Sequence, residues 1–162
     1  MRERVFSATL RVEHFNDSGC LQKGEKHMQK LLLIMYRKLI SDGMKRFLEN
    51  NPETTVYVEH IYENVLVTAT THRPDIVMLE IPESNAGKPE YYLKICAKIR
   101  EALPICKLLL MCPENSMESR QAAVGAMRLG EIDDFIYFNV TFDYLLSKLE
   151  VLGLKSGGFA AN

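Results

Sequence analysis

The stretch Arg73-Pro74-Asp75-Ile76-Val77-Met78-Leu79-Glu80 decides how this chain is read. Proline disfavours helical geometry in the residue before it, so a helix reaching Arg73 stops there. Apolar side chains then follow without a polar interruption from Ile76 to Leu79, and a carboxylate closes the run. A strand with one wet face alternates in polarity. An unbroken apolar run belongs to a parallel strand covered on both faces. Leu31-Leu32-Leu33-Ile34-Met35 upstream and Lys107-Leu108-Leu109-Leu110-Met111-Cys112 downstream have the same form.

The segments between these runs carry helical spacing. Residues 39–50 place Ile40, Met44, Phe47 and Leu48 on one helical face, and Asn51-Pro52 ends it. Residues 54–60 are rich in β-branched side chains and predict a second strand, whereas residues 63–71 make a weaker, β-branched helix. Pro89-Glu90 opens a helix through Ile95 and Ile99 to Leu103, ahead of Pro104. Asn115 or Ser116 caps a helix through Met127 and Leu129, with Gly130 just past its end. Residues 134–138 form a fifth strand. Thr141 caps a last helix whose apolar side carries Leu145, Leu146, Leu149 and Leu152. Strands alternating with helices through short connections predict an α/β domain: a five-stranded parallel sheet, helices on both faces, in flavodoxin-like order. Ligands of such sheets sit at the carboxyl ends of the strands.

Residues 1–29 read as an N-terminal extension. Phe6, Ala8, Leu10 and Val12 alternate with polar residues as in one half-buried strand, and a polar, linker-like stretch follows from Asn16 to Lys26. The strand has three options: the sheet edge, a second subunit, or no fixed partner. A start at Met28 is a fourth reading of the same stretch. Residues 30–153 make the domain, and residues 154–162, with Gly157-Gly158, a flexible tail.

Composition narrows the function classes. In 162 residues, 47% are hydrophobic and 25% charged, the balance of a soluble globule. A formal net charge of -1 gives no electrostatic basis for a general grip on nucleic acid. No apolar run has the length of a membrane span, and the first residues lack a signal peptide's apolar stretch. Cys20, Cys96, Cys106 and Cys112 show no metal-ligand spacing, and the last three lie in apolar segments as buried free thiols, which points to a reducing cytoplasm. His14, His27, His60 and His72 are scattered and form neither a triad nor a metal cluster. Phosphate loops of the Walker or dinucleotide type are absent. No cofactor or metal is expected.

Together, residues 73–80, the opening segment with Ser41-Asp42-Gly43-Met44, and Gly130-Glu131-Ile132-Asp133-Asp134-Phe135-Ile136 carry a resemblance. In order and spacing they resemble the receiver (CheY-like) domains of bacterial two-component response regulators, over residues 30 to 152. The resemblance implies a phosphorelay chemistry: two acidic residues after the first strand hold Mg²⁺, and an Asp ending the third takes the phosphoryl group. A Ser/Thr after the fourth strand senses it, and a Lys after the fifth pairs with it. Carried over by position, the acidic pair falls on Met35 and Tyr36, the phosphoacceptor on Glu80, the Ser/Thr on Cys112, and the Lys on Phe138 or Asn139. Phe135 falls on the aromatic switch position. Pro82 stands two residues past Glu80, displaced from the family's Met-Pro.

These departures predict a degenerate receiver. One carboxylate is too few to hold a cation that keeps most of its own water, and Glu is a methylene longer than Asp. Two readings stay open for Glu80: a solvated or hydrogen-bonded rim carboxylate, or a mimic of phospho-Asp, which needs a cation that none of the motif positions supplies. Cys112 reads as a small buried apolar residue, and Phe135 as a switch or an ordinary packed ring. Tyr91-Tyr92 and Met111, Met117 and Met127 read as packing.

The function expected is a non-catalytic signalling module acting by protein–protein contact or self-association as a homodimer, not an enzyme. The candidate surface is the face made by residues 117–129, the fifth strand and the last helix. A small-ligand or enzymatic flavodoxin-like domain, with Glu80, Tyr36 and Asn139 lining a cleft, is the alternative. A receiver fragment of a DNA-binding transcriptional regulator is another, if the chain is a piece of a longer protein. A further reading keeps residual phosphorylation, with Mg²⁺ stabilising the domain.

Overall fold

The computed structural model describes residues 27–155. The alternating segment at 6–12, the polar stretch at 16–26 and Gly157-Gly158 lie outside the described residues. Strands β1 (Gln29–Ile34), β2 (Thr54–Glu59), β3 (Ile76–Glu80), β4 (Lys107–Cys112) and β5 (Asp134–Tyr137) alternate with helices α1 (Lys38–Leu48), α2 (Val65–His72), α3 (Glu90–Ala102), α4 (Met117–Arg128) and α5 (Phe142–Val151). The strands form one parallel sheet in the order β2-β1-β3-β4-β5, the flavodoxin-like arrangement.

The period of two along each strand divides the core into two layers. Leu31, Leu33, Met78, Leu109 and Ile136 pack with Met44 and Leu48 of α1 and Leu145 and Leu149 of α5. Leu32, Ile34, Val77, Leu79 and Leu110 pack with Ala69 of α2, Ile99 of α3, and Ala123 and Ala126 of α4. Each buried Leu or Ile contributes roughly 1.5–3 kcal/mol relative to exposure. Adjacent residues of one strand therefore serve opposite layers. That is why the runs are continuous rather than alternating.

Local signals fix most helix ends. Ser116 Oγ accepts from the Ser119 N–H at the start of α4, and Thr141 Oγ1 from the Tyr144 N–H at the start of α5. Gly130 takes a φ of 74° beyond α4, a left-handed geometry that costs glycine nothing. The weaker helix forms as α2, entered through a 3-10 turn at Tyr62–Asn64. It ends at Arg73, the only non-glycine residue at positive φ among those described (49°), immediately before Pro74.

The structure shifts three readings. In α1 the buried stripe is Ser41, Met44 and Leu48, and Ile40 lies on the exposed side. Ser41 is accommodated because its hydroxyl donates to the Lys38 carbonyl. Met117 and Met127 are exposed, so they add nothing to the packing around Met111. Contacts also join residues just outside 30–153 to the domain. The Gln29 side chain donates to the Gly153 carbonyl and accepts from the Lys155 N–H, while Leu154 is buried against the α1–α5 layer.

Candidate functional site

Counting along β3 by twos puts Glu80 on the face of Ile76 and Met78, under α1 and α5. The carboxylate is not at a wet rim: the residue is 1% exposed. A buried carboxylate without partners costs several kcal/mol, on the order given by ion desolvation. Here it has three donors. Oε2 accepts from the Tyr36 N–H at 2.9 Å and, at longer range, from the Arg37 N–H at 3.4 Å; Oε1 accepts from Arg37 Nε at 2.5 Å. Arg37 is the residue preceding α1, in extended geometry, so Glu80 also faces the positive end of that helix.

The guanidinium is held on its other sides. Its carbon lies 4.0 Å from the centroid of the Phe138 ring, and Nη2 lies 4.0 Å from Met111 Sδ. Arginine suits this place because its planar, weakly hydrated cation stacks on an aromatic face while donating at its edge. The positive charge facing the Glu80 carboxylate is that of Arg37.

The positions derived from the resemblance separate into two groups. Glu80, the Tyr36 backbone N–H and Phe138 meet at the Glu80–Arg37 pair. The other positions do not. Met35 is fully buried, its carbonyl accepting from His60 Nδ1 at 2.8 Å. Asn139 is exposed, whereas the Phe138 ring stacks on Arg37. Cys112 packs into the α2–α4 layer, away from Glu80, because it lies one residue beyond Met111 on β4. Burial pushes its thiol up to about 12. Phe135 is half-buried and meets Tyr137 edge-on at 5.8 Å.

Two contributors were not evident from the motif positions. Arg37 directly follows the acidic-pair positions, and a basic residue there was the available signal for a cation. Tyr62 lies in the 3-10 turn after β2, and its hydroxyl donates to the Glu80 carbonyl at 2.7 Å. Burial, with the nearby Glu80 charge, raises the Tyr62 phenol above its ordinary range and keeps it a donor.

The donor set does not fit Mg²⁺. That ion needs several hard oxygen ligands in octahedral geometry. The one carboxylate at the site is already engaged by a guanidinium and backbone N–H groups. Among the described residues no group of three or more His, Cys, Asp or Glu side chains is arranged to hold a metal. No described helix is long and apolar enough to cross a membrane.

No protein-family model matches the sequence, and no curated protein does. Solved structures do match. A two-component response regulator from Clostridium difficile has 22% identity and a TM-score of 0.62, covering 76% of this chain and 94% of that one. An orphan response regulator of H. pylori has 17% identity and a TM-score of 0.62, with 78% and 97% covered. A protein described as adenylate cyclase from Rhodopirellula baltica has 13% identity and a TM-score of 0.65, with 76% and 86% covered. The fold is therefore that of CheY-like receiver domains.

Proposed function

We propose that this chain is a receiver-like signalling module, non-enzymatic and independent of acidic-residue phosphorylation, that works by protein–protein contact. The observation that carries the reading is the buried salt bridge from Glu80 to Arg37. An incoming phosphoryl group finds the acceptor carboxylate engaged, no second carboxylate for a metal, and an aromatic ring in place of the Lys. The cation that normally answers the phosphoryl group is built into the chain, so the site is held in one state.

The contact surface proposed is the face of α4, β5 and α5. Leu129 is 77% exposed, and the half-exposed Tyr144 lines, with Met127, Phe135, Tyr137 and Val140, a cavity of about 580 Å³. Exposed apolar groups around a concavity are a common composition for a protein interface. A second copy of the chain is the partner to test first. Sedimentation velocity is expected to show concentration-dependent association that Leu129→Glu and Tyr144→Glu abolish and that acetyl phosphate with Mg²⁺ leaves unchanged. A monomer at all concentrations, or association indifferent to both substitutions, would refute this surface.

A further inference from the structure

A second concavity opens beside the Glu80 site, of about 700 Å³, where the loops after β1, β2 and β3 meet the first turn of α3. Glu80 and Asn139 do not line it, but Tyr36, His60, Tyr62, Lys88, Tyr91 and Tyr92 do. The volume is that of a small-molecule site, at the strand ends where sheets of this topology place ligands.

The wall is a fixed aromatic surface. Tyr62 meets Tyr92 edge-on at 5.3 Å, and Tyr92 meets Tyr91 edge-on at 5.2 Å. Tyr62 is anchored on the Glu80 carbonyl, and the Tyr92 hydroxyl accepts from Asn85 Nδ2 at 2.8 Å. Tyr91 is 47% exposed and Tyr36 is 67% exposed, a large open π-surface for residues of this type.

The polar groups have defined roles as well. His60 Nδ1 donates to the Met35 carbonyl at 2.8 Å, the tautomer whose Nε2 is an acceptor. The Glu63 carboxylate is a second acceptor at the rim. Lys88 is exposed, and its ammonium has no hydrogen-bond or ion-pair partner among the described residues. Stacking surface, two acceptors and one free cation match a flat heterocycle bearing N–H donors and an anionic tail.

We propose that this cleft binds a mononucleotide: the base stacked against Tyr91 and Tyr36 with its N–H groups toward His60 and Glu63, and the phosphate on Lys88. Such a ligand touches Tyr36 and Tyr62, whose backbone N–H and hydroxyl hold Glu80, and so gives the closed site an input other than phosphorylation. This goes beyond the reading of Glu80 and Arg37, and neither residue lines the cleft.

The test is isothermal titration calorimetry of the full chain with AMP and GMP, their nucleosides, and inorganic phosphate. At least one nucleotide is expected to bind, and its nucleoside more weakly. Tyr91→Ala should weaken the nucleotide about tenfold, within the range for loss of one stacked base. Lys88→Glu should weaken the nucleotide by a similar factor and leave the nucleoside unchanged. Both side chains are exposed, so unchanged melting temperatures will confirm folded variants. No binding by either nucleotide, binding indifferent to both substitutions, or equal binding of inorganic phosphate alone would overturn the proposal. None of these outcomes bears on whether Glu80 accepts a phosphoryl group.

Discussion

Arg37 Nε and Glu80 Oε1 lie 2.5 Å apart across the carboxyl ends of β1 and β3, with Glu80 buried and the Arg37 side chain 36% exposed. The asymmetry matters. Removing Arg37 strands a buried carboxylate, whereas removing Glu80 leaves a cation that reaches water by rotating outward. Breaking a buried pair from one side costs about 3–5 kcal/mol, and partial access of water to Arg37 places this pair near the lower end.

Arg37→Ala is therefore expected to lower the stability by about 3 kcal/mol, read from the urea unfolding midpoint. Glu80→Gln should cost less, about 1–2 kcal/mol, because an amide oxygen still accepts from the backbone N–H groups. Arg37→Lys should fall between, since an ammonium keeps the charge and loses the planar stack on Phe138. Equal, small effects for all three would show that the pair is not a buried unit.

The start of β5 makes a pH prediction. Asp133 accepts from Arg100 Nη2 at 2.6 Å, Lys107 Nζ at 3.3 Å and the Leu108 N–H at 2.8 Å. Partial burial works to raise its carboxyl, but Arg100 and the other donors outweigh that and hold it below the ordinary 3.8. A carboxyl lowered on folding contributes stability above its unfolded value and loses it as pH falls through the folded value. Asp133→Asn should cost about 1–2 kcal/mol at neutral pH. The gap to the parent should shrink as pH drops below 3.8. A gap constant down to pH about 2 would contradict the assignment.

The thiols give a third test. Burial pushes Cys96, Cys106 and Cys112 each up to about 12. In the folded protein at pH about 8 the thiolate fraction is therefore small, and access is blocked. Iodoacetamide followed by peptide mapping should leave these three unmodified until denaturant is added. Rapid native labelling of Cys112 would contradict its place in the core and favour a sensing role.

What the sequence disclosed follows from which interactions are local. The unbroken runs Leu31–Met35 and Ile76–Leu79 exposed the parallel sheet because two-sided burial leaves its mark on every residue of a strand. Ser116, Gly130 and Thr141 marked helix ends for the same reason: a cap is a contact within a few residues. Asp133 and Asp134 were visible only as a motif. Asp133 holds Arg100 and Leu108, and Asp134 accepts from Lys148 Nζ at 2.7 Å, staples that join distant segments. Glu80 was located correctly at a strand end, yet its burial and its cation were not evident. Arg37 stands 43 residues away. Only the β1–β3 pairing brings the two together, and carrying over motif positions one by one omits a residue that stands beside them.

The most direct measurement is intact mass after incubation with acetyl phosphate and Mg²⁺, run on the full chain, Glu80→Ala, and Arg37→Ala with Glu80→Asp. No added phosphoryl group is expected on the parent chain at any incubation time at which an active receiver is labelled. The double variant tests whether freeing a shorter carboxylate is by itself enough, and no label is expected there either, because the second carboxylate and the Lys are still missing. One phosphoryl group on the parent chain, absent from Glu80→Ala, would contradict the central claim and make this an ordinary phosphorylated receiver.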